Sequence, residues 1–281
     1  MTSIPREQIG NGYCAVSRDS LLLLLDPPRT YDSFMLAPLF VKDNLMRILL
    51  VIPAHNEELF LGRTIHKIVE YIVSQNSFGD TFDILIVDNG STDTTERIGL
   101  TLAQQYEHVN FKRIEAAGKG LEIRSGWMYG DYDYYCYIDA DLAHEPASIS
   151  LMISALQGGH DVVVCSRTHR DSNIVRPWLR KFLTRGYNIL LRLVFQVRFT
   201  DAQAGCKGIS QKARQILLAM PPENGYFFDT RLLISAEKSG YEICDLPCVY
   251  IDPRSQRFGL VRVILYFLRK VFVFRIELWK S

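Results

Sequence analysis

From Met46 onward the chain alternates between two apolar patterns. Short, nearly unbroken apolar runs occupy residues 48–52, 84–87, 134–138 and 162–165, the length and composition of buried strands. Between them, residues 59–73, 94–106, 120–129 and 146–156 space their apolar positions at three and four, the period of an amphipathic helix. Strands without a polar side are covered on both faces, so the pattern predicts an α/β fold: a mostly parallel sheet sandwiched by helices. Ligands of such sheets bind beyond the carboxyl ends of the strands, so the loops there are where chemistry is sought.

After Cys165 the alternation stops. Residues 167–198 carry eight Arg or Lys and one acid, Asp171, among Leu, Ile, Val, Phe and Trp178. Residues 258–280 also read as a helix. At 100° per residue, Arg262, Arg269, Lys270, Glu277 and Lys280 share one side, with Arg275 as the exception. Val263, Ile264, Phe267, Leu268, Val271, Phe274 and Leu278 fill the other. A basic face backed by large apolar residues is the sequence form of an interfacial membrane helix. A helix docked on the core with snorkelling arginines is the alternative. Apolar coverage of most of the circumference favours membrane contact. The expected organisation is an N-terminal arm over 1–45, an α/β domain over 46–256 and an amphipathic membrane-interface helix over 257–281.

Composition narrows the classes. The 281 residues include 32 basic and 31 acidic side chains, a net charge of +1, which argues against a general polyanion binder. With 48% hydrophobic and 22% charged residues, the chain is too apolar for disorder and too charged for a polytopic membrane protein. The aromatics among the basic residues of 167–198 are not arrayed for base stacking, so nucleic acid is not an expected partner. The leucine run at 21–25 is far shorter than the ~20 residues that span a bilayer, and no signal-peptide pattern precedes it. Six cysteines stand singly, which fits buried thiols in a reducing compartment better than a zinc or disulfide framework. Those features predict a protein on the cytoplasmic face of a membrane.

Four motifs follow the predicted strands. Asp139-Ala140-Asp141 closes the third strand and offers two hard carboxylates at i and i+2. That spacing suits Mg²⁺ or Mn²⁺ holding a diphosphate, although an isolated D-x-D is also an ordinary turn. Pro53-Ala54-His55-Asn56-Glu57 follows the first strand, and Asp88-Asn89-Gly90-Ser91-Thr92-Asp93 follows the second. Asp88 stands where a strand delivers a carboxylate to a base or ribose, whereas structural roles suffice for Asn56, Gly90, Ser91 and Asp93. Gly118-Lys119-Gly120 leads to Arg124, and its paired glycines let backbone and lysine approach phosphate. His55 and His144 read as pocket lining, since no metal-ligand cluster surrounds them.

In this order, P-A-x-N-E, D-x-G-S-x-D, G-K-G-x-x-x-R-x-G and D-A-D-L resemble a family 2 glycosyltransferase of the GT-A fold, over about residues 47–252. The chain is similar more narrowly to polyprenyl-phosphate hexosyltransferases, the dolichyl-phosphate glucose and mannose synthases among them. That likeness rests on Ser166-Arg167, on residues 180–188, on Asp201-Ala202-Gln203-Ala204-Gly205-Cys206-Lys207 and on Phe228-Asp229-Thr230-Arg231-Leu232-Leu233. D-x-Q-x-G-x-K and F-D-x-x-L-L look more like the glucosyl branch. The resemblance implies that Pro53, Ala54, Glu57 and Asp88 line the nucleoside pocket, with Lys119 near the nucleotide. It implies Asp139 and Asp141 as holders of the metal diphosphate, and Arg167, Arg180 and Arg185 as contacts of the acceptor phosphate. Asn89 departs from the usual D-D-G-S, and Ala143 stands where many relatives have Gln or Ser.

The expected reaction is metal-dependent, inverting transfer of a hexose from a nucleoside diphosphate sugar, UDP-glucose foremost, to a polyprenyl phosphate. GDP-mannose with the same acceptor, a sugar or lipid hydroxyl as acceptor, and a non-catalytic nucleotide-binding module are the alternatives. A phosphate acceptor is already anionic, whereas a hydroxyl needs a general base, for which Asp229 is the candidate by position.

Overall fold

The computed structural model describes residues 46–75, 82–116, 118–252 and 259–280, so the arm expected over 1–45 lies outside it. In chain order the strands are β1 (Ile48–Ala54), β2 (Phe82–Asn89), β3 (Val109–Ile114), β4 (Tyr134–Ile138), β5 (Val162–Cys165), β6 (Asn173–Val175), β7 (Cys206–Ser210), β8 (Ile243–Leu246) and β9 (Val249–Ile251). The helices are α1 (Leu61–Gln75), α2 (Thr95–Gln105), α3 (Lys119–Trp127), α4 (Ala147–Gln157), α5 (Trp178–Phe195), α6 (Arg214–Ala219), α7 (Phe228–Lys238) and α8 (Leu260–Lys280).

Seven strands form one sheet in the order β3-β2-β1-β4-β7-β5-β8, parallel except for β7, which runs antiparallel to both neighbours. The expected mostly parallel sandwich is therefore present. Strand alternation divides the core into two layers. Leu49, Val51, Leu85 and Val87 join Trp127 of α3, Phe228 of α7 and Phe195 of α5. Leu50, Ile52, Ile84 and Ile86 join Leu61, Ile65 and Ile68 of α1 and Met152 of α4 on the opposite face. The chain runs outward from β1 through β2 and β3, then returns to the other side of β1 as β4. A crevice opens at such a reversal, beyond the carboxyl ends of β1 and β4.

Beside the main sheet, β6 and β9 pair in a small two-stranded sheet, and Tyr250 of β9 bridges to His144 in the loop after β4. The terminal helix α8 lies against α5, with Phe267 on Tyr187 and Phe274 on Phe195 at ring separations of 5.1 and 5.6 Å. Val271 and Phe274 are buried in the core. Lys270 and Glu277, expected on the free polar side, instead border the packed face, where they pair with Glu223 and Arg231 at 2.8 Å each.

The free side of α8 is apolar: Val261, Leu265, Leu268, Phe272, Ile276 and Trp279 form an outward stripe, with Arg262, Arg269, Arg275 and Lys280 also exposed. On α5, Trp178, Phe182, Ile189 and Leu193 form a second outward stripe. No helix among the described residues is long and apolar enough to cross a membrane. Cys136, Cys165, Cys206 and Cys248 are free and buried, as the thiol expectation has it for those four.

Candidate active site

The crevice at the β1/β4 reversal collects the predicted motifs. Parallel register sets Ala54 beside Asp88, and Asp88 beside Arg113 of β3. The Asp88 carboxylate is fully buried and accepts from Arg113 at 2.9 Å and from the Ser91 N–H at 3.3 Å. Arg113 also holds Glu96 at 2.6 Å.

The two loops that follow β1 and β2 are tied to each other. Asn56, at φ 55°, accepts the Thr92 N–H on its side chain at 2.8 Å and donates its own N–H to the Ser91 hydroxyl at 2.9 Å. Asp93 accepts the Thr95 N–H at 2.9 Å, and Glu58 takes the Thr94 N–H and hydroxyl at the start of α2. The Glu57 N–H donates to the Thr95 hydroxyl at 2.8 Å. His55 donates from Nδ1 to the Asn89 carbonyl at 2.6 Å, which gives it a bracing role. Asn56, Ser91 and Asp93 thus do the structural work their types predict.

The paired glycines act differently from the phosphate cradle expected of them. Gly118 sits at φ 143°, and a Cβ there would meet the Asn224 carbonyl at 2.0 Å. The Gly120 N–H donates to that same carbonyl at 2.9 Å, and the Leu121 N–H reaches it at 3.3 Å. The segment before α7 therefore caps the α3 N-terminus, and Lys119 alone projects toward the crevice.

There the charges form a row. Lys119 Nζ lies 2.8 Å from Asp139 Oδ1 and 3.5 Å from Asp229 Oδ2. Asp229 Oδ1 holds Lys207 Nζ at 3.0 Å and accepts the Tyr137 hydroxyl. Lys207 also bonds that hydroxyl at 3.0 Å and the Ala204 carbonyl. Asp229 and Lys207 are buried, whereas Asp139 is 35% exposed. Burial pushes the Asp229 carboxyl up, but Lys207, Lys119 and the Tyr137 bond outweigh it and hold Asp229 below the ordinary value. A buried carboxylate whose oxygens already hold two ammonium groups and a hydroxyl has little capacity left to accept a proton, which counts against the base role expected of Asp229.

Asp139 is clamped from behind. Its N–H donates to the Gly205 carbonyl at 2.9 Å, and its Oδ2 lies 1.9 Å from where a Gly205 Cβ would stand. Asp141 accepts the Ala143 N–H at 3.2 Å. Hard carboxylate oxygens at the sheet mouth, one already holding an ammonium, suit a divalent cation. No group of three His, Cys, Asp or Glu that could hold a metal ion occurs among the described residues.

Beyond Asp141 the chain meets β9: the Ile251 N–H donates to the Ala143 carbonyl at 2.8 Å and the Glu145 N–H to Val249 at 3.2 Å. This brings Tyr250 and a set of guanidinium groups to the D-x-D loop. Arg167 and Arg176 lie over the Tyr250 ring at 5.5 and 5.7 Å. Arg176 and Arg180 share Asp252 at 3.3 and 2.6 Å. His144 is buried with no partner on either ring nitrogen, edge-on to Tyr250 at 5.0 Å. Burial, with Arg167 nearby, pushes its pKa down to about 3, so it is neutral lining as expected.

The three predicted acceptor arginines fare differently. Arg180 is part-buried in the cluster. Arg167 gives Nε and Nη2 to Asp201 at 2.7 and 2.8 Å, also bonds Tyr250, and its side chain is only 8% exposed, so it contributes positive charge behind the cluster rather than an open fork. Arg185 is separated from the cluster: it is exposed, about 140° around the helix from Arg180, on the outward side of α5. Sequence reasoning missed Arg176, Tyr250 and Asp252, because they come together only through the pairing of β6 and β9. It also missed Glu122, buried behind Lys119 and bonded to Asn89, whose pKa burial pushes up to about 7. An acid on the inward side of α3, between Leu121 and Ile123, was its one signal.

Comparison with known proteins follows this geometry. The family model "Glycosyl transferase family 2" matches residues 49–217. Glycosyltransferase AglD of Haloferax volcanii is 27% identical over 78% of this chain, which spans 35% of that protein. Dolichyl-phosphate beta-glucosyltransferase ALG5D of Trichomonas vaginalis is 24% identical over 91% of this chain and 77% of its own length. Polyprenol monophosphomannose synthase of Mycolicibacterium smegmatis is 28% identical over 73% and 78%. Glucosyl-3-phosphoglycerate synthase from Mycobacterium tuberculosis, solved with Mn²⁺, UDP and glucosyl-3-phosphoglycerate, shares the fold at a TM-score of 0.61, with 19% identity over 81% of this chain and 77% of that one.

Proposed function

Because the chain belongs to glycosyl transferase family 2, we propose that it moves one hexose, with inversion, from a nucleoside diphosphate sugar to a polyprenyl phosphate held at a membrane surface. The observation that carries this reading is the clasp of β9 on the D-x-D loop, which sets a guanidinium cluster beside the diphosphate carboxylates. Two relatives named for polyprenyl- or dolichyl-phosphate products support the same acceptor.

The nucleoside occupies the crevice floor lined by Pro53, Ala54, Glu57 and Asp88. Lys119 meets the diphosphate. Asp139 and Asp141 would hold Mg²⁺ or Mn²⁺, which would supply positive charge to the leaving diphosphate. Arg176 and Arg180, with the charge of Arg167 behind them, orient the acceptor phosphate on the far side of the anomeric carbon. A phosphate monoester is anionic at neutral pH, so attack needs no base, in keeping with an Asp229 that is committed to two lysines. This favours a phosphate over a hydroxyl acceptor.

A panel of nucleotide sugars with short polyprenyl phosphates, read by nucleotide release, tests the reaction. The D-x-Q-x-G-x-K and F-D-x-x-L-L segments favour UDP-glucose. Calorimetry with manganese present is expected to give UDP at least about tenfold, or ~1.4 kcal/mol, tighter than GDP. GDP binding tighter by that margin moves the donor to GDP-mannose.

The outward stripes of α5 and α8 supply the membrane surface, on the cytoplasmic side. Apolar insertion there joins attraction of anionic lipid, about 1 kcal/mol per basic residue near the surface. Deleting α8 would remove Val271 and Phe274 from the core, so outward substitutions are the cleaner probe. Leu265→Ser, Phe272→Ser and Trp279→Ser together are expected to weaken liposome binding by at least about tenfold, with UDP affinity unchanged. Flotation equal to the parent's would make the stripe an ordinary exposed helix side.

A further inference from the structure

Four charges alternate along the crevice: Asp139, Lys119, Asp229, Lys207, with successive separations of 2.8, 3.5 and 3.0 Å. We infer, on the footing of the proposed reading, that Lys119 is a resident counter-ion of the D-x-D centre, so that the protein admits a divalent cation together with a diphosphate and resists either alone.

The backbone of Lys119 cannot move away. It opens α3, with Gly118 wedged against Asn224 and the Gly120 N–H bonded to the same residue, so only the ammonium at the end of its stem can swing. The Lys119 side chain is only 17% exposed, and its ammonium sits between two carboxylates, unlike a solvated surface lysine. A divalent cation arriving alone at Asp139 would meet a positive charge already bound to Oδ1. A diphosphate changes this, because its oxygens give the ammonium a new partner. As Lys119 turns to them, Asp139 Oδ1 is released to the cation.

Lys207 explains how Lys119 can let go. It is wholly buried, and its donors are taken by Asp229, the Tyr137 hydroxyl and the Ala204 carbonyl. Asp229 therefore stays neutralised while Lys119 changes partner. One lysine is the anchor and the other the mobile charge. Linkage makes the effect reciprocal: whatever the diphosphate adds to cation affinity, the cation adds to diphosphate affinity.

Mn²⁺ binding to the full chain, measured by electron paramagnetic resonance with and without saturating UDP, tests the inference without any turnover. Parent protein is expected to bind Mn²⁺ weakly alone. Lys119→Met should bind Mn²⁺ alone about fivefold or more tightly than the parent, within the usual range of coupling between sites, and gain less from UDP. Lys119→Gln, which keeps a polar end without the charge, should behave the same, and Lys119→Arg like the parent. Circular dichroism and thermal melts establish that each variant is folded. If both uncharged variants bind Mn²⁺ alone no tighter than the parent, while UDP still tightens it in all, the counter-ion role is overturned and the D-x-D reading stands. If the UDP-loaded parent binds no Mn²⁺, the metal reading and this inference fall together.

Discussion

Asp139→Ala is expected to lower hexose transfer by about 10³-fold, the scale of losing a charged group aimed at the transition state, with the fold intact. Asp139 is half-open at the mouth of the sheet, so its removal leaves no cavity in the core. Lys119 keeps Asp229 as a partner. What is lost is a carboxylate that the protein holds in one position, between the Gly205 backbone behind it and Lys119 in front. Asp141→Ala is expected to act in the same direction, and chelation by EDTA should reproduce the loss until Mg²⁺ or Mn²⁺ is restored. The measurement is steady-state nucleotide release at saturating donor, beside a thermal melt. Turnover within tenfold of the parent in either variant, or full turnover in metal-free buffer, would remove the carboxylates from the chemistry.

The second large effect is on stability. Asp201 is fully buried and accepts three bonds from Arg167: its backbone N–H at 3.0 Å, Nε at 2.7 Å and Nη2 at 2.8 Å. Asp201→Ala strands a buried guanidinium, which costs about 3–5 kcal/mol. The double variant Asp201→Leu with Arg167→Leu removes both charges and should lose less than the single one. Burial alone would raise the Asp201 carboxyl, but Arg167 and then Lys207 outweigh it and hold its pKa below 3.8. A depressed carboxylate contributes its stability above the unfolded value and loses it as pH falls through the folded one. The contribution of this pair should therefore be constant from neutral pH to about 5 and vanish in stronger acid. Urea unfolding of both variants at several pH values checks this; a single variant as stable as the parent would show that Arg167 finds water or another acid.

Which parts were legible follows from how far each residue's partners lie along the chain. The strands at 48–52, 84–87, 134–138 and 162–165 appear as β1, β2, β4 and β5, because continuous apolar runs leave little choice of environment. β3 was missed because it is an edge strand whose Asn110, Lys112 and Arg113 are only part-buried, which breaks the apolar run. β7 was missed for the opposite reason. Its Cys-Lys-Gly-Ile-Ser holds a lysine and a glycine that are buried, and only the distant Asp229, beside Lys207, and Leu156, Cys136 and Met152, packed on Gly208, make those residues sensible there. Lys119 and the carboxylates at strand ends were legible as chemistry because the loops that carry them follow strongly patterned elements. Asp229 was legible as a site residue, but its two lysine partners were not, since nothing local announces them.

The place of β7 also bears on synthesis. It fills the slot between β4 and β5, and its two neighbours pair with it alone across that junction. As the chain leaves the ribosome, residues 46–138 can already stack β1, β2, β3 and β4 into a half-sheet, but the open edge of β4 waits until Cys206–Ser210 emerges. The same strand carries Lys207, with Gly205 just before it, so the segment that closes the gap in the sheet also brings Lys207 and the backbone behind Asp139 to the crevice. A nascent or stalled product ending short of Cys206 is thus a sticky, unpaired edge without a working centre, the kind of species chaperones hold.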